Sequence, residues 1–232
     1  ARKVGFNNIN ADLIIGLPKQ TIADVENSVN ELVNLKLEHI SVYSLILEEG
    51  TMLEELVRSG KLKLPEDKEE RNMYWKVKNI LEKNGYNHYE ISNFAKHGSE
   101  SKHNLDCWKQ KEYVGFGVAA HSYTNGVRYS NIENIEEYIK NYEEGKEEDN
   151  FVFHEKQTHN MKVKEYMMLG LRKLEGVCIQ EFKEKFAANP IFVFKTELEK
   201  LVNEELLEVN GDYIKLTNKG LDLANLVWEE FV

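Results

Sequence analysis

The sequence predicts an α/β fold followed by a small helical, winged-helix-like module. Three observations predict it. A strand, a short turn, a helix and a second strand follow one another over residues 8–47, which is a βαβ unit with a right-handed crossover expected. The charged tract "NYEEGKEED" (residues 141–149) then separates two regions of different pattern. Beyond it, helices give way to a β-ribbon and a last helix.

Each element has its own reason. Residues 8–16 read as a strand, because Leu13, Ile14 and Ile15 are consecutive and apolar, as in a parallel sheet covered on both faces. Gly16, Leu17 and Pro18 end it. Thr21 to Asp24 resembles a capping box with a shortened acid, and Ile22, Val25, Val29, Leu32 and Val33 then share one helix face. Residues 39–47 are rich in β-branched and aromatic side chains and read as the second strand. Residues 66–84 read as a helix whose acidic first turns suit the helix dipole, with Gly85 as its C-terminal cap. Residues 86–92 and 113–122 read as a third and fourth strand with a long loop between them. Asn125-Gly126 signals a hairpin. A helix over 135–148 runs into the charged tract, read as a solvated linker, so the domains are set at 1–150 and 151–232. Further helices are expected at 157–173, 179–186 and 190–204, then two short strands around Asn210-Gly211 and a helix from Asn218.

Composition bounds the function. The 232 residues carry a formal net charge of -10, with lysines interleaved among glutamates. Such a chain is a poor non-specific nucleic-acid binder, because that binding depends on neutralising phosphates. The would-be recognition helix of the C-terminal module is itself acidic, with Glu197, Glu199, Glu204 and Glu205 against Lys195 and Lys200. No apolar run approaches the roughly 20 residues of a membrane span. Two unclustered cysteines, Cys107 and Cys178, cannot by themselves build a structural zinc site or an iron–sulfur cluster. They fit a reducing cytoplasm, the expected compartment. The missing initiator Met and the early strand suggest a piece of a longer or processed chain; the alternative is a genuine start with Met removed, which Ala1 would permit.

Several residues could carry chemistry. Asp12 interrupts an apolar strand at the end where α/β sheets bind ligands. Either it accepts hydrogen bonds from a ligand hydroxyl, or it is paired with a neighbouring backbone group or lysine. His103 and Cys107 lie four apart, so one helical turn would bring them together. Each residue type can ligate haem iron. The other reading is a surface histidine with a cysteine and Trp108 packed beneath the loop. In "GFGVAAHS" (residues 115–122), glycine and alanine permit close approach of a backbone or a flat ligand, and His121 is either a ligand or a core histidine. The Tyr and Met residues of "EYMMLGLRKLEG" (165–176) read as core, and Arg172 is assigned no chemistry.

The segments "INADLIIGLPKQT", "HISVYSLILEEGT", "YEISNFAKHGSESKHNLDCW", "GFGVAAHSY" and "YMMLGLRKLEGV" resemble, in order, the HemW/HemN branch of the radical S-adenosylmethionine (SAM) proteins. The branch comprises oxygen-independent coproporphyrinogen III oxidases and related haem chaperones. The resemblance extends through "LTNKGLDLANLVWEEF" and implies the C-terminal part of a partial (β/α) barrel followed by the family's winged-helix-like domain. It implies that Asp12 contacts the SAM ribose, with Tyr43 and Ile46 lining the SAM pocket. The HNxxYW segment points to the chaperones and implies haem binding through His103. This chain has Cys107 where the family has Tyr, which leaves open a thiolate contact to haem. The family's CxxxCxxC motif, which holds a [4Fe–4S] cluster, is absent, so the chain as given is expected to be catalytically incompetent. The leading expectation is a protein that binds haem and SAM and passes haem to haem-receiving proteins. The alternative is an oxidase that decarboxylates two propionates of a porphyrinogen to vinyl groups.

Overall fold

The computed structural model describes all 232 residues. The chain forms two compact units, one of Ala1–Ser101 with Lys173–Glu175, the other of Lys102–Arg172 with Gly176–Val232.

In the first unit the elements are β1 (Asn10–Ile15), α1 (Ile22–Asn34), β2 (His39–Ser44), α2 (Met52–Arg58), α3 (Asp67–Lys83), β3 (Asn87–Glu90) and β4 (Asn93–Ala95). β1 and β2 are parallel neighbours, as the βαβ reading requires. The Thr21 hydroxyl accepts the Asp24 N–H and the Asp24 carboxylate accepts the Thr21 N–H, so the shortened capping box does form. The sheet order is β1-β2-β4-β3. The expected third strand is β3, and beyond the expectation it turns back in a tight hairpin onto β4, which lies antiparallel between β2 and β3.

One face of this sheet is the core. Leu13, Ile15, Ile40, Val42 and Phe94 pack against Val25 and Val29 of α1 and Met73, Val77 and Leu81 of α3. The first strand was expected to be covered on both faces. Ile14 corrects this: it is 45% exposed, on the face away from the helices. Period-two alternation puts Asn10, Asp12 and Ile14 on that other face, and the parallel register adds His39, Ser41 and Tyr43 beside them.

In the second unit the elements are α4 (Lys102–Trp108), β5 (His121–Thr124), β6 (Val127–Asn131), α5 (Ile135–Glu143), β7 (Phe151–Lys156), α6 (His159–Gly170), β8 (Val177–Cys178), α7 (Ile179–Phe186), α8 (Pro190–Val193), α9 (Lys195–Asn203), β9 (Leu207–Asn210), β10 (Tyr213–Leu216), α10 (Asn218–Asp222) and α11 (Ala224–Glu229). The Asn125-Gly126 hairpin joins β5 to β6 as expected, with both residues at positive φ. From α6 onward the order helix, strand, three helices and a two-stranded wing is winged-helix-like, with sheet order β8-β10-β9. Gly176 is required there, because a Cβ would run into the Ile214 carbonyl oxygen.

Two expectations are corrected. Of residues 113–122, only His121 and Ser122 belong to a strand, the start of β5. Only the bridge between Tyr113 and Tyr123 precedes β5, and the chain turns at Gly117 (φ 97°) and Ala119 (φ 58°). The glycines that suggested a close approach also free the backbone to leave the sheet. The charged tract is not a loose linker either. α5 stops short at Glu143, Gly145 turns the chain at φ 69°, and β7 follows, pairing with β6. Buried Asn150 accepts the Asn141 amide at 2.9 Å and gives its carbonyl to Ile132 N–H. Contacts divide the chain near residue 101, with Lys173–Glu175 joining the first unit; a domain boundary at residue 150, read from the change of sequence pattern at the charged tract, remains a proposal.

His88 makes the first unit sensitive to acid. It is buried on the helix-facing side, stacked on Phe94 with ring centroids 4.3 Å apart. Burial pulls its pKa from 6.5 to about 4. The unfolded chain therefore binds a proton in this window that the folded chain does not. The stabilisation is complete above about pH 6.5 and is lost as pH falls towards 4, amounting to about 3 kcal/mol. Urea unfolding at neutral pH and near pH 4 should show this loss, and His88→Leu should flatten the difference. An unchanged pH dependence in His88→Leu would contradict the assignment.

Candidate functional site

The polar face of β1 and β2 places the first group of candidates. Asp12 lies opposite Ser41, and Ile14 opposite Tyr43, in the parallel register. Asp12 is exposed and accepts the Asn10 amide at one oxygen, Oδ1, at 2.7 Å. Tyr43 is 41% exposed, and Ile46, just past the strand, is 75% exposed. A carboxylate with an open oxygen beside exposed apolar side chains is what a nucleoside needs: an acceptor for ribose hydroxyls and surface for the base. These residues therefore fit SAM. The structure brings Asp12 and Tyr43 to one face and places Ile46 beyond the end of β2.

Behind Asp12 stands a network that pattern reading missed. His39 is buried; its Nδ1 lies 2.7 Å from Asn10 Oδ1 and its Nε2 lies 2.8 Å from Tyr89 Oη. Ser41 Oγ donates to Asn10 Oδ1 at 3.2 Å, and the Ser101 N–H donates to Tyr89 Oη at 3.1 Å. Burial lowers the His39 pKa against the opposing pull of Asp12 and Glu100, and burial pushes Tyr89 up to about 12. Both side chains are therefore neutral near pH 7. A β-bulge explains how Tyr89 gets there. His88 pairs with Phe94 and Glu90 with Asn93, so Tyr89 is the extra residue, turned onto the polar face. The signal in the sequence was the alternation Asn10, Asp12 and His39, Ser41, Tyr43 within two apolar strands.

The second group lies on α4. The segment 102–108 is helical, so His103 and Cys107 do meet, with Nε2 and Sγ 3.7 Å apart. His103 is exposed and stands edge-on to Tyr113, ring centroids 6.2 Å apart. Phe116, on the glycine-bearing turn after Tyr113, is 90% exposed. An accessible imidazole with exposed aromatic surface nearby in sequence suits a flat, apolar, iron-bearing ligand. Burial, then the nearby Asp106, pushes the Cys107 thiol up, which favours the neutral thiol over the thiolate reading. α4 is held at its far end. The Arg172 guanidinium lies 4.5 Å from the Trp108 ring centroid and 4.6 Å from that of Trp228. His121 is on β5, exposed, with its ring stacked on His154 at 5.3 Å.

A [4Fe–4S] cluster does not fit these residues. It needs three or four thiolates, whereas this chain has Cys107 and Cys178, and no group of three or more His, Cys, Asp or Glu side chains could hold a metal ion. No helix is long and apolar enough to cross a membrane.

Comparison with known proteins gives the class first. Residues 157–223 match the HemN C-terminal domain family. The fold resembles that of coproporphyrinogen III oxidase (HemN) from Escherichia coli, a radical SAM enzyme, with a TM-score of 0.77 over 99% of this chain and 56% of that one, at 19% identity. The fold is thus part of a radical SAM barrel with a winged-helix-like domain. In sequence the whole chain is similar to HemW haem chaperones. It is 40% identical over 231 residues to the haem chaperone HemW of Lactococcus lactis and 39% identical over 236 residues to that of Bacillus subtilis. All of this chain is matched in both cases, and it spans 60% and 61% of those proteins. A mitochondrial radical SAM domain-containing protein 1 of Danio rerio is 38% identical over 52% of this chain and 27% of its own length.

The raised Cys107 pKa has a direct readout. In a Cys178→Ser background, alkylation of Cys107 should reach half its maximal rate at a pH above that of an exposed cysteine, which lies near 8.5. A midpoint below that value would show a thiolate and restore Cys107 as a rival iron ligand.

Proposed function

We propose that this chain is part of a haem chaperone that binds haem through His103 and SAM along the Asp12 face, and that the whole protein passes haem to haem-receiving proteins. The observation that carries the haem reading is the exposed His103 on α4, within a segment that reads HNLDCW where the family has HNxxYW. The imidazole is accessible near exposed aromatic surface, and partial burial of Cys107, with Asp106 beside it, raises its pKa and favours the neutral thiol over a thiolate ligand. The names of the HemW relatives favour this reading over porphyrinogen decarboxylation.

On the SAM side, the exposed oxygen of Asp12 accepts the ribose hydroxyls, and Tyr43 and Ile46 offer apolar surface to the rest of the cofactor. Bound SAM together with a reduced cluster supplies radical chemistry in this class. The residues of this chain bind and orient SAM. We place the protein in the cytoplasm, where two unclustered thiols stay reduced.

A hemin titration followed at the Soret band tests the haem site. Wild type should saturate, His103→Ala should weaken binding by at least about tenfold, as expected for loss of a metal ligand, and Cys107→Ala and Cys107→Tyr should bind as wild type does. Loss in Cys107→Ala alone would transfer the ligand to sulfur and overturn the assignment. Conversion of coproporphyrinogen III to protoporphyrinogen by the complete gene product, given SAM and a reductant, would establish the oxidase instead.

A further inference from the structure

The polar face of the first unit carries a directed chain of hydrogen bonds that ends on Asp12. Tyr89 Oη takes the Ser101 N–H at 3.1 Å, so its own proton is free to go to His39 Nε2 at 2.8 Å. His39 is neutral, so its single proton sits on Nδ1 and is donated to Asn10 Oδ1 at 2.7 Å. Ser41 Oγ donates to the same Asn10 oxygen at 3.2 Å. With two donors on its carbonyl, the Asn10 amide must turn its NH2 outward, where it donates to Asp12 Oδ1 at 2.7 Å. Every proton in the chain has one consistent place. His39 and Ser41 are buried, while Asp12 lies at the exposed end.

The direction of an asparagine amide is otherwise a choice between two near-equivalent orientations. Here the imidazole tautomer makes the choice, and the Tyr89 hydroxyl fixes the tautomer. Without that hydroxyl the imidazole proton can move to Nε2. Nδ1 then becomes an acceptor facing the Asn10 carbonyl, and the amide rotates to relieve it. A rotated amide would present oxygen to the Asp12 carboxylate and repel it. The β-bulge that turns Tyr89 onto this face supplies the side chain that prevents this.

We propose that Tyr89 and His39 are positioning residues for Asp12. Acting through Asn10, they occupy one carboxylate oxygen and hold the other, Oδ2, ready to accept the ribose hydroxyls of SAM. The proposal rests on the reading of Asp12 as the ribose contact. It predicts selectivity for the hydroxylated ribose, which a purely structural network would not supply.

The test is anaerobic equilibrium binding of SAM, and of a SAM analogue lacking the ribose 2′-hydroxyl, to the complete gene product. Wild type is compared with Asp12→Asn, Tyr89→Phe and the double variant, each checked for an unchanged thermal melt. Tyr89→Phe should weaken SAM about fivefold, the scale of one net hydrogen bond. It should leave binding of the deoxy analogue nearly unchanged and cost nothing further in the Asp12→Asn background. Wild-type SAM affinity in Tyr89→Phe overturns the proposal, as does an equal loss for both ligands or a full additional loss in the double variant. Wild-type affinity in Asp12→Asn itself would instead remove the ribose contact, and the positioning role with it. Should Tyr89→Phe melt early, His39→Asn, whose amide nitrogen can take the place of Nδ1 as a donor towards Asn10, provides the second arm: it should retain the preference for SAM over the deoxy analogue, and its loss there overturns the proposal.

Discussion

The parallel pairing of β1 with β2 is the constraint on which the first unit depends. The register Asn10↔His39, Asp12↔Ser41, Ile14↔Tyr43 sorts every side chain of two strands at once. One face receives Leu13, Ile15, Ile40 and Val42, which α1 and α3 bury. The other receives the polar set that carries Asp12. A slip of β1 by one residue would send Asp12 into the helix-covered core, where an unpaired carboxylate costs several kcal/mol even after relaxation; a slip of β2 would do the same to His39. The same pairing that builds the core thus builds the site, and neither can shift without the other.

The second unit solves a different problem. A seven-residue helix is too short to be stable alone, so α4 depends on tertiary contacts to present His103. The stack of Trp108, Arg172 and Trp228 supplies one such contact, and Gln110, just beyond the helix, donates to Glu165 of α6 at 2.7 Å. Anchoring through the C-terminal end of α4 leaves its first turn, with His103, exposed. The Lys109 carbonyl takes a further hydrogen bond from Lys185 of α7 at 3.1 Å. The winged-helix-like module therefore acts as a support for the His103 helix, a role that needs no basic face.

The sequence made these elements unequally legible. α1 and α3 were readable from helical period and caps, β1 from its apolar run ended by Gly16 and Pro18, β2 from its β-branched and aromatic side chains, and the Asn125-Gly126 turn because its backbone demands those residues. β4 and β7 were not, since three residues at 93–95 carry no period and β7 exposes aromatics beside a charged tract. Residues 113–122 misled because alanine, valine and glycine suit a strand or a turn equally until tertiary hydrogen bonds choose. Asp12, Tyr43, His103 and Cys107 could be named from motif and spacing. Asn10, His39 and Tyr89 could not, because their relation exists only across paired strands and through a bulge that local sequence does not announce.

We propose that SAM lies on the polar face of β1 and β2, with its ribose on Asp12. A crystal structure of the complete gene product with its cluster and SAM bound tests this most directly. A ribose hydroxyl should lie within about 2.7–3.0 Å of Asp12 Oδ2, with Asn10 still donating to Oδ1. A nucleoside bound away from β1, or an Asp12 that keeps both oxygens in solvent while SAM is held elsewhere, would contradict it.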